Sequence, residues 1–316
     1  MSKVDFAPGG QAVIEGVLMR SPGFVAVAVR NQSGEIIIDR RPYTSITERI
    51  RFLGLPFIRG VVGIGEMMII GFRALNFSAN IFSEVAGIGA EVQEKNQVTQ
   101  EVKKETWLEK VFFGVSILVA LSVSLFLFKF VPLAITTFLG SQFPFVKDHN
   151  LLFNLIDGVL KMGIFIGYIA LLLKSKDMRR VFEYHGAEHK AVFTYEKKLP
   201  LTPENARIQS RFHPRCGTSF IMLVVLISVM SYTLLPRADG FLQNFLLRVA
   251  WLPVIGGLSY EFLKISAKNM ENRFVRSFVT PGLWLQKLTT QEPDDAQLEV
   301  ALRALESALP ESSPTT

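Results

Sequence analysis

Four long apolar runs limit the fold of this chain more than any other feature. They lie at residues 111–132, 151–173, 218–235 and 241–263, and each has 18 residues or more. A helix of about 20 apolar residues spans the hydrocarbon core of a bilayer, and a helix satisfies its own backbone hydrogen bonds there. The sequence therefore predicts an α-helical integral membrane protein with a four-helix transmembrane bundle over residues 111–263.

The basic residues indicate how this bundle is oriented. The loop 174–217 holds ten Lys or Arg, whereas the connections 140–150 and 236–242 hold one each. Cytoplasmic loops carry the excess of Lys and Arg. We therefore expect a multi-pass protein of the inner (cytoplasmic) cell membrane with both termini in the cytoplasm. The net charge of +6 comes with no groove-reading motif, so we expect no nucleic-acid partner.

Residues 1–55 are predicted to form a small β-rich cytoplasmic part, which makes this region α+β. Valines alternate with alanines over 25–29, and an Asn/Ser/Gly turn separates them from the run 36–38. This pattern is typical of a β-hairpin. Residues 56–83 follow as an amphipathic helix that lies at the interface or packs on the bundle, with a spanning or re-entrant helix as the alternative. Residues 84–110 are polar and are expected to be a linker.

Residues 264–316 are predicted to form cytoplasmic amphipathic helices. The first, 264–288, is basic and is expected to break at Pro281 and Gly282. The second begins after Pro293-Asp294-Asp295, and leucines line one of its faces up to Leu309. Such a stripe docks on the same protein or binds a protein partner.

His185, Glu188 and His189 form the motif H-x-x-E-H. On a helix the two histidines lie one turn apart, so both imidazoles are able to bind one metal ion, most simply Zn²⁺. Glu188 lies next to the second histidine and is the expected general base, because a carboxylate there can take a proton from water. The alternative is an interfacial helix with these side chains and no metal.

A zinc enzyme commonly has a third protein ligand. The predicted topology brings three candidates to the same cytoplasmic rim: Glu261, which is preferred, and His213 and Cys216. Cys216 is the single cysteine. It is alternatively a nucleophile beside a histidine, or a small buried residue. Glu15, in a glycine-rich segment, is a further candidate for the same site.

Charged residues also occur inside the apolar runs. Asp157 and Lys161 are four residues apart, and Arg248 lies in the fourth run. Charges inside a membrane are costly and are candidates for function. The spacing of Asp157 and Lys161 favours an ion pair on one helix over an ion path.

Several longer segments resemble the YqhQ-like family of bacterial membrane proteins. They are GGQAVIEGVLMRSP, EYHGAEHK, FHPRCGTSF, SYEFLK and PGLWLQKLTT with the following EPDDAQLEVALRAL. The family is often labelled as metal-dependent enzymes, and the resemblance implies such an activity without a substrate.

These observations predict a metal-dependent hydrolase of the cytoplasmic membrane that acts on an amide or ester near the membrane surface. His185, His189 and Glu261 would hold the metal, and Glu188 would be the base. The alternative is a non-catalytic membrane scaffold or assembly factor, in which these residues form a structural metal site or a polar cluster.

Overall fold

The computed structural model describes residues 8–85, 107–235, 240–269 and 272–310. Within them the chain is mostly helical, and an antiparallel sheet lies at its N-terminal end. The strands follow in sequence order, as β1-β2-β3-β4. The predicted hairpin is confirmed, because Val29 of β3 pairs with Ile37 of β4. The strand bounds are β1 Gly9–Val13, β2 Gly16–Ser21, β3 Gly23–Arg30 and β4 Ile36–Tyr43.

The helical elements begin just after the sheet. A 3₁₀ turn, Arg51–Gly54, follows the first helix, and a π-helical turn, Phe126–Phe130, separates the third helix from the fourth. The helices are α1 Ile46–Arg49, α2 Ile58–Val85, α3 Trp107–Leu125, α4 Val131–Gln142, α5 Pro144–Asp148, α6 Asn150–Leu172, α7 Lys176–Glu196, α8 Pro203–Arg207, α9 Gly217–Leu234, α10 Phe241–Ala250, α11 Leu252–Lys268, α12 Arg273–Thr289 and α13 Asp295–Ala308.

Helices cover both faces of the sheet. Successive side chains of a strand point to opposite faces, so neighbouring residues belong to different buried clusters. Val17 and Met19 of β2 share a buried cluster with α7 and α13. Leu18, between them, belongs to a second cluster, which α2 covers through Ala74. The N-terminal part is therefore a three-layer unit, and α7 belongs to it.

Helix α2 extends from Ile58 to Val85, close to the amphipathic helix predicted over residues 56–83. Glu66 of this helix is buried and accepts hydrogen bonds from the Ser45 hydroxyl and the Ile46 backbone N–H, both at 2.6 Å. The N-terminal turn of α2 packs closely against α11: a Cβ added to Gly60 would lie 2.7 Å from Cβ of Tyr260. The predicted linker lies mostly in residues 86–106, outside the described residues.

Three helical stretches of the described chain are long and apolar enough to cross a membrane: Gly114–Gln142, Asn150–Leu172 and Gly217–Leu234. This result is compatible with a membrane protein. The first stretch continues beyond Pro132, where the sequence predicted its end. The π-helical turn precedes Pro132 and widens the backbone where a regular α-helix would place a carbonyl against the proline ring.

The fourth predicted run is a broken helix rather than one continuous helix. Helices α10 and α11 meet at an angle of 41°, and they form a fourth candidate span only if the pair is counted as one. Pro253, in the first turn of α11, lacks the N–H that would continue the hydrogen bonding from α10. The missing hydrogen bond at Pro253 explains the bend between α10 and α11.

Helix α12 corrects another prediction, because it runs through Pro281 without a break. Gly282 follows, and a Cβ added there would lie 2.8 Å from Cα of Ser219. The glycine therefore allows α12 to approach α9 closely. The hydrogen bond from Gln286 Nε2 to Ser219 Oγ, at 3.0 Å, joins the same two helices.

Helix α13 has the predicted start. Asp294 caps it in a capping box with Gln297. Its leucine stripe, which includes Leu298, Leu302 and Leu305, is buried against the sheet and α7. The stripe therefore docks within the chain, and a protein partner of α13 would have to bind its other, more polar face.

Candidate metal centre

Helix α7 carries the H-x-x-E-H motif. Its first turns are largely exposed, whereas residues 186–192 are buried between the sheet, α13 and the segment after α12. The rings of His185 and His189 are 4.6 Å apart between centroids. The predicted positioning of the two histidines on one face is therefore confirmed.

Backbone carbonyls fix the orientation of both imidazoles. His185 Nδ1 lies 2.7 Å from the carbonyl oxygen of Thr289, and His189 Nδ1 lies 2.5 Å from that of Arg211. A carbonyl only accepts hydrogen bonds, so each Nδ1 donates, and each neutral ring keeps its lone pair on Nε2. This arrangement is typical of metal-binding histidines, in which the second nitrogen is hydrogen-bonded to a carbonyl or carboxylate.

Cys216 completes the group. Its Sγ lies 3.2 Å from His185 Nε2, and the thiol is buried. Cys216 is the N-cap of α9 and accepts a hydrogen bond from the Thr218 backbone N–H at 3.4 Å. Cysteine sulfur is a common zinc ligand.

The distances fit a metal ion. Ligand atoms of His185, His189 and Cys216 all lie within 4.8 Å of one another. In a tetrahedral zinc site, bonds of about 2.05 Å to nitrogen and 2.3 Å to sulfur place these atoms about 3.3–3.6 Å apart. Two imidazoles and one thiolate are ligands that suit zinc. The three residues could therefore hold one zinc ion with small adjustments.

Glu188 lies beside this group. Its Oε1 accepts a hydrogen bond of 2.9 Å from the Gly10 backbone N–H, and its Oε2 lies 3.5 Å from His189 Nε2. The β1 strand therefore fixes one carboxylate oxygen and leaves the other facing the nitrogen that would bind metal. The carboxylate is buried and lies beside the cluster of possible ligands rather than within it. Its position fits a general base as it stands, and a fourth ligand only after a shift toward the other ligand atoms.

A chain crossing explains the glycine inside the motif. The segment after α12 passes directly over Gly186, where an added Cβ would lie 2.1 Å from the carbonyl oxygen of Gln291. A hydrogen bond of 2.8 Å from the Gln291 N–H to the Phe182 carbonyl holds the crossing in place. The crossing brings the Thr289 carbonyl to His185. The sequence signal for this crossing is Gly186, because a glycine inside a helix can mark a close approach of another backbone segment.

His213 lies next to His189 but outside the group of possible ligands. Its ring centroid is 5.7 Å from that of His189. Nδ1 accepts a hydrogen bond from the Arg215 N–H at 3.3 Å, and Nε2 faces the Glu196 carboxylate at 3.4 Å. Burial lowers the pKa of the His213 imidazole, and the nearby carboxylate of Glu188 opposes this effect. Both nitrogens have partners, so His213 is not placed as a ligand.

Gln286 of α12, which the sequence did not single out, holds the backbone of His213 from both sides. Its side chain accepts from the His213 N–H and donates to the His213 carbonyl, at 2.7 Å each. The pairing fixes the chain three residues before Cys216.

The other two predicted site residues lie apart from the group. Glu261 binds Arg59 through two hydrogen bonds of 2.7 and 2.5 Å and accepts a third from the Phe57 N–H. Glu15 forms an ion pair with Arg180 at 2.5 Å, one to two turns before the motif on α7. Neither carboxylate belongs to the cluster of possible ligands found in the described residues. Of the predicted third-ligand candidates, Cys216 is the one that lies with the two histidines.

Comparison with known proteins agrees with the resemblance seen in the sequence. Residues 55–311 match the family described as protein of unknown function DUF1385. The chain is 35% identical over 308 residues to the uncharacterized protein YqhQ of Bacillus subtilis strain 168, and the alignment covers 97% of this chain and 93% of that protein. No solved structure matches the chain.

Proposed function

Because the chain belongs to the DUF1385 family, whose function is not known, we propose a function from the site itself: a metal-dependent hydrolase embedded in the cytoplasmic membrane. The observation that carries the proposal is the orientation of His185 and His189. Backbone carbonyls hold both Nδ1 atoms, and His185 Nε2 lies 3.2 Å from Cys216 Sγ. One ligand atom of each of the three residues lies within 4.8 Å of the other two. Such fixed tautomers favour metal binding over a chance cluster.

Lipid contact is supported by the outer surfaces of the apolar helices. Large apolar side chains are exposed on them, including Leu118 at 64%, Val159 at 65% and Leu234 at 86%. Apolar patches of this extent favour a lipid surround. The positive-inside rule favours a cytoplasmic position for the basic segment 174–217 and for α7. We propose four crossings, with α10 and α11 as one broken span.

Helix α12 supports a site near the membrane surface. It exposes Phe274 near its start and Trp284 near its end, by 71% and 64%, and tryptophan is enriched at membrane interfaces. Its last residue, Thr289, is buried and holds His185. This helix would therefore reach from the membrane interface to the candidate metal centre. A substrate in the headgroup region would reach His185, which is the most exposed of the proposed ligands.

The chemistry divides among three kinds of group. A bound zinc ion would polarise a carbonyl and lower the pKa of water, which is what such ions supply in hydrolases. His185, His189 and Cys216 would hold it and leave a position open, as in catalytic zinc sites. Glu188 Oε2 would accept the proton of the attacking water while the new C–O bond forms. It would return that proton to the leaving amine or alcohol as the scissile bond breaks.

The test uses purified full-length protein and the substitution Glu188→Gln. We expect stoichiometric zinc in the wild type, and its loss on alanine substitution of His185, His189 or Cys216. Glu188→Gln should keep the metal and lose about 100- to 10,000-fold of the turnover of a long-chain acyl ester or anilide. Glu183→Gln, on the same helix, is the matched control and should change neither. Absence of stoichiometric metal from the wild type would refute the proposal.

A second candidate function is a non-catalytic scaffold or assembly factor with a structural zinc. Cys216 favours it, because thiolates are common ligands of closed structural sites. Glu188 would then be the fourth ligand, and the distance of 3.5 Å to His189 Nε2 allows this. The two candidates differ in one result: Glu188→Gln would release the metal from the scaffold and leave it bound in the hydrolase.

A further inference from the structure

A second group of charged side chains lies among the apolar helices. The group lies around Tyr232 on α9. Its members are Asp157 and Lys161 on α6, Lys129 on the π-helical turn and Arg248 on α10. Lys129 Nζ, Lys161 Nζ and Arg248 Cζ lie 5.4, 5.3 and 4.5 Å from the centre of that ring. Asp157, Lys161, Arg248 and Tyr232 are buried, and Lys129 is partly buried.

The group has more positive than negative charge. Asp157 is the only carboxylate among these side chains, and its Oδ2 accepts from both Lys161 and Arg248. Lys129 donates to the Tyr232 hydroxyl at 3.3 Å and forms no ion pair with any described residue. When all three basic side chains are protonated, they exceed the single carboxylate by two positive charges. Charges in apolar surroundings are costly unless an opposite charge compensates them.

The same side chains have unused hydrogen-bonding capacity. A lysine ammonium has three N–H donors, and one bond each is made by Lys129 and Lys161. Asp157 Oδ1 is buried and has no hydrogen-bond partner. Buried polar atoms of this kind usually have a partner, so the free donors and the free acceptor indicate a ligand with both anionic oxygens and a hydroxyl group.

The position suits a ligand that enters from the lipid. Asp157 and Lys161 lie about 10 and 17 Å along α6 from its start, at 1.5 Å per residue. Lys129 is the partly exposed member of the group. It lies on a π-helical turn, an element that occurs frequently at functional sites.

We propose that Lys129, Lys161 and Arg248 bind a phosphate monoester group between the apolar helices. A phosphate monoester carries about 1.5–2 negative charges near pH 7, which matches the two uncompensated positive charges. Its oxygens accept from the two ammonium groups. In the singly protonated form, which has one negative charge, the P–OH donates to Asp157 Oδ1; in the doubly charged form the two negative charges match the two positive charges. The group belongs to a lipid phosphate monoester or to free phosphate. The proposal does not depend on the metal centre.

The test compares three ligands on the purified full-length protein. Wild-type protein in nanodiscs is probed with phosphatidic acid, which is a monoester, and with phosphatidylglycerol, which is a diester. In detergent it is titrated with inorganic phosphate. Lys129→Met should weaken binding at least about tenfold, because it removes hydrogen bonds to a charged group. Lys129→Arg should restore most of the affinity, and Lys147→Met, at the exposed end of α5, is the matched control.

A stability measurement keeps the test independent of the choice of ligand. Without phosphate, Lys129→Met should unfold at a higher temperature than the wild type, because it removes an uncompensated charge. With bound ligand, the wild type should unfold at the higher temperature. Binding of phosphatidic acid alone identifies a lipid ligand, and binding of inorganic phosphate alone identifies a soluble one. Equal binding of phosphatidylglycerol overturns the monoester assignment. No binding of any ligand, with unchanged stability of Lys129→Met, overturns the site.

Discussion

Gly186→Ala tests how the metal centre is built. The added Cβ would lie 2.1 Å from the Gln291 carbonyl oxygen. An ordinary carbon–oxygen contact is about 3.3 Å or longer, so the crossing segment must move about 1.2 Å. The segment is attached immediately before that point, at Thr289 and Thr290. Arg211 donates to the Thr290 carbonyl at 2.7 Å, and Thr289 holds His185, also at 2.7 Å. The crossing therefore cannot move without stretching these bonds.

The expected magnitude follows from these contacts. Overpacking costs about 1–3 kcal/mol, and the better helix propensity of alanine returns up to about 1 kcal/mol. We expect a net loss of about 1–2 kcal/mol in the free energy of unfolding. Moving the Thr289 carbonyl by about 1.2 Å breaks its bond to His185, and loss of such a support lowers metal affinity about 10- to 100-fold.

The assays are thermal unfolding in detergent and zinc competition against a chelator of known affinity. Gly65→Ala in α2 is the matched control, since no heavy atom of a neighbouring residue lies within 4 Å of its added Cβ. That variant should be as stable as the wild type or slightly more so. If Gly186→Ala unfolds and binds zinc as the wild type does, the crossing does not position His185.

Three further substitutions test other parts of the structure. Glu261→Gln should leave the zinc content unchanged, because Glu261 pairs with Arg59; loss of zinc would restore Glu261 as a ligand. Leu302→Ala should lower the free energy of unfolding by about 2–5 kcal/mol, measured by denaturation, because it opens a cavity in the sheet cluster; an unchanged value would contradict the packing of α13. Ser45→Ala should cost about 1–3 kcal/mol by removing a donor to the buried Glu66 carboxylate, and Ser45→Thr should be milder.

Local patterns were sufficient to predict much of the fold. The apolar runs, the valine-rich hairpin and the capped α13 helix depend on neighbouring residues, and the structure contains each of them. The ends of the helices were less predictable. Pro132 and Pro281 were expected to terminate or break helices, but a π-helical turn precedes Pro132 and α12 continues through Pro281.

The metal centre was predictable only in its local part. His185 and His189 are one turn apart, so the helical period alone brings them together. The third ligand depends on contacts across the chain. Cys216 lies 31 residues from His185, and the Arg59 side chain that holds Glu261 lies 202 residues before it. Periodicity and topology do not determine such contacts.

Residues far before and far after α7 in the sequence contact its H-x-x-E-H motif, and this affects when the candidate metal centre can form. Gly10 donates to Glu188, and the carbonyl of Thr289 orients His185. During synthesis α7 is made long before residue 289 leaves the ribosome. Nascent chains that end before this point contain both histidines without the carbonyl that orients the first of them. We therefore expect tight zinc binding only after residue 289 has packed onto α7, so that chains truncated before this residue bind zinc about 10- to 100-fold more weakly.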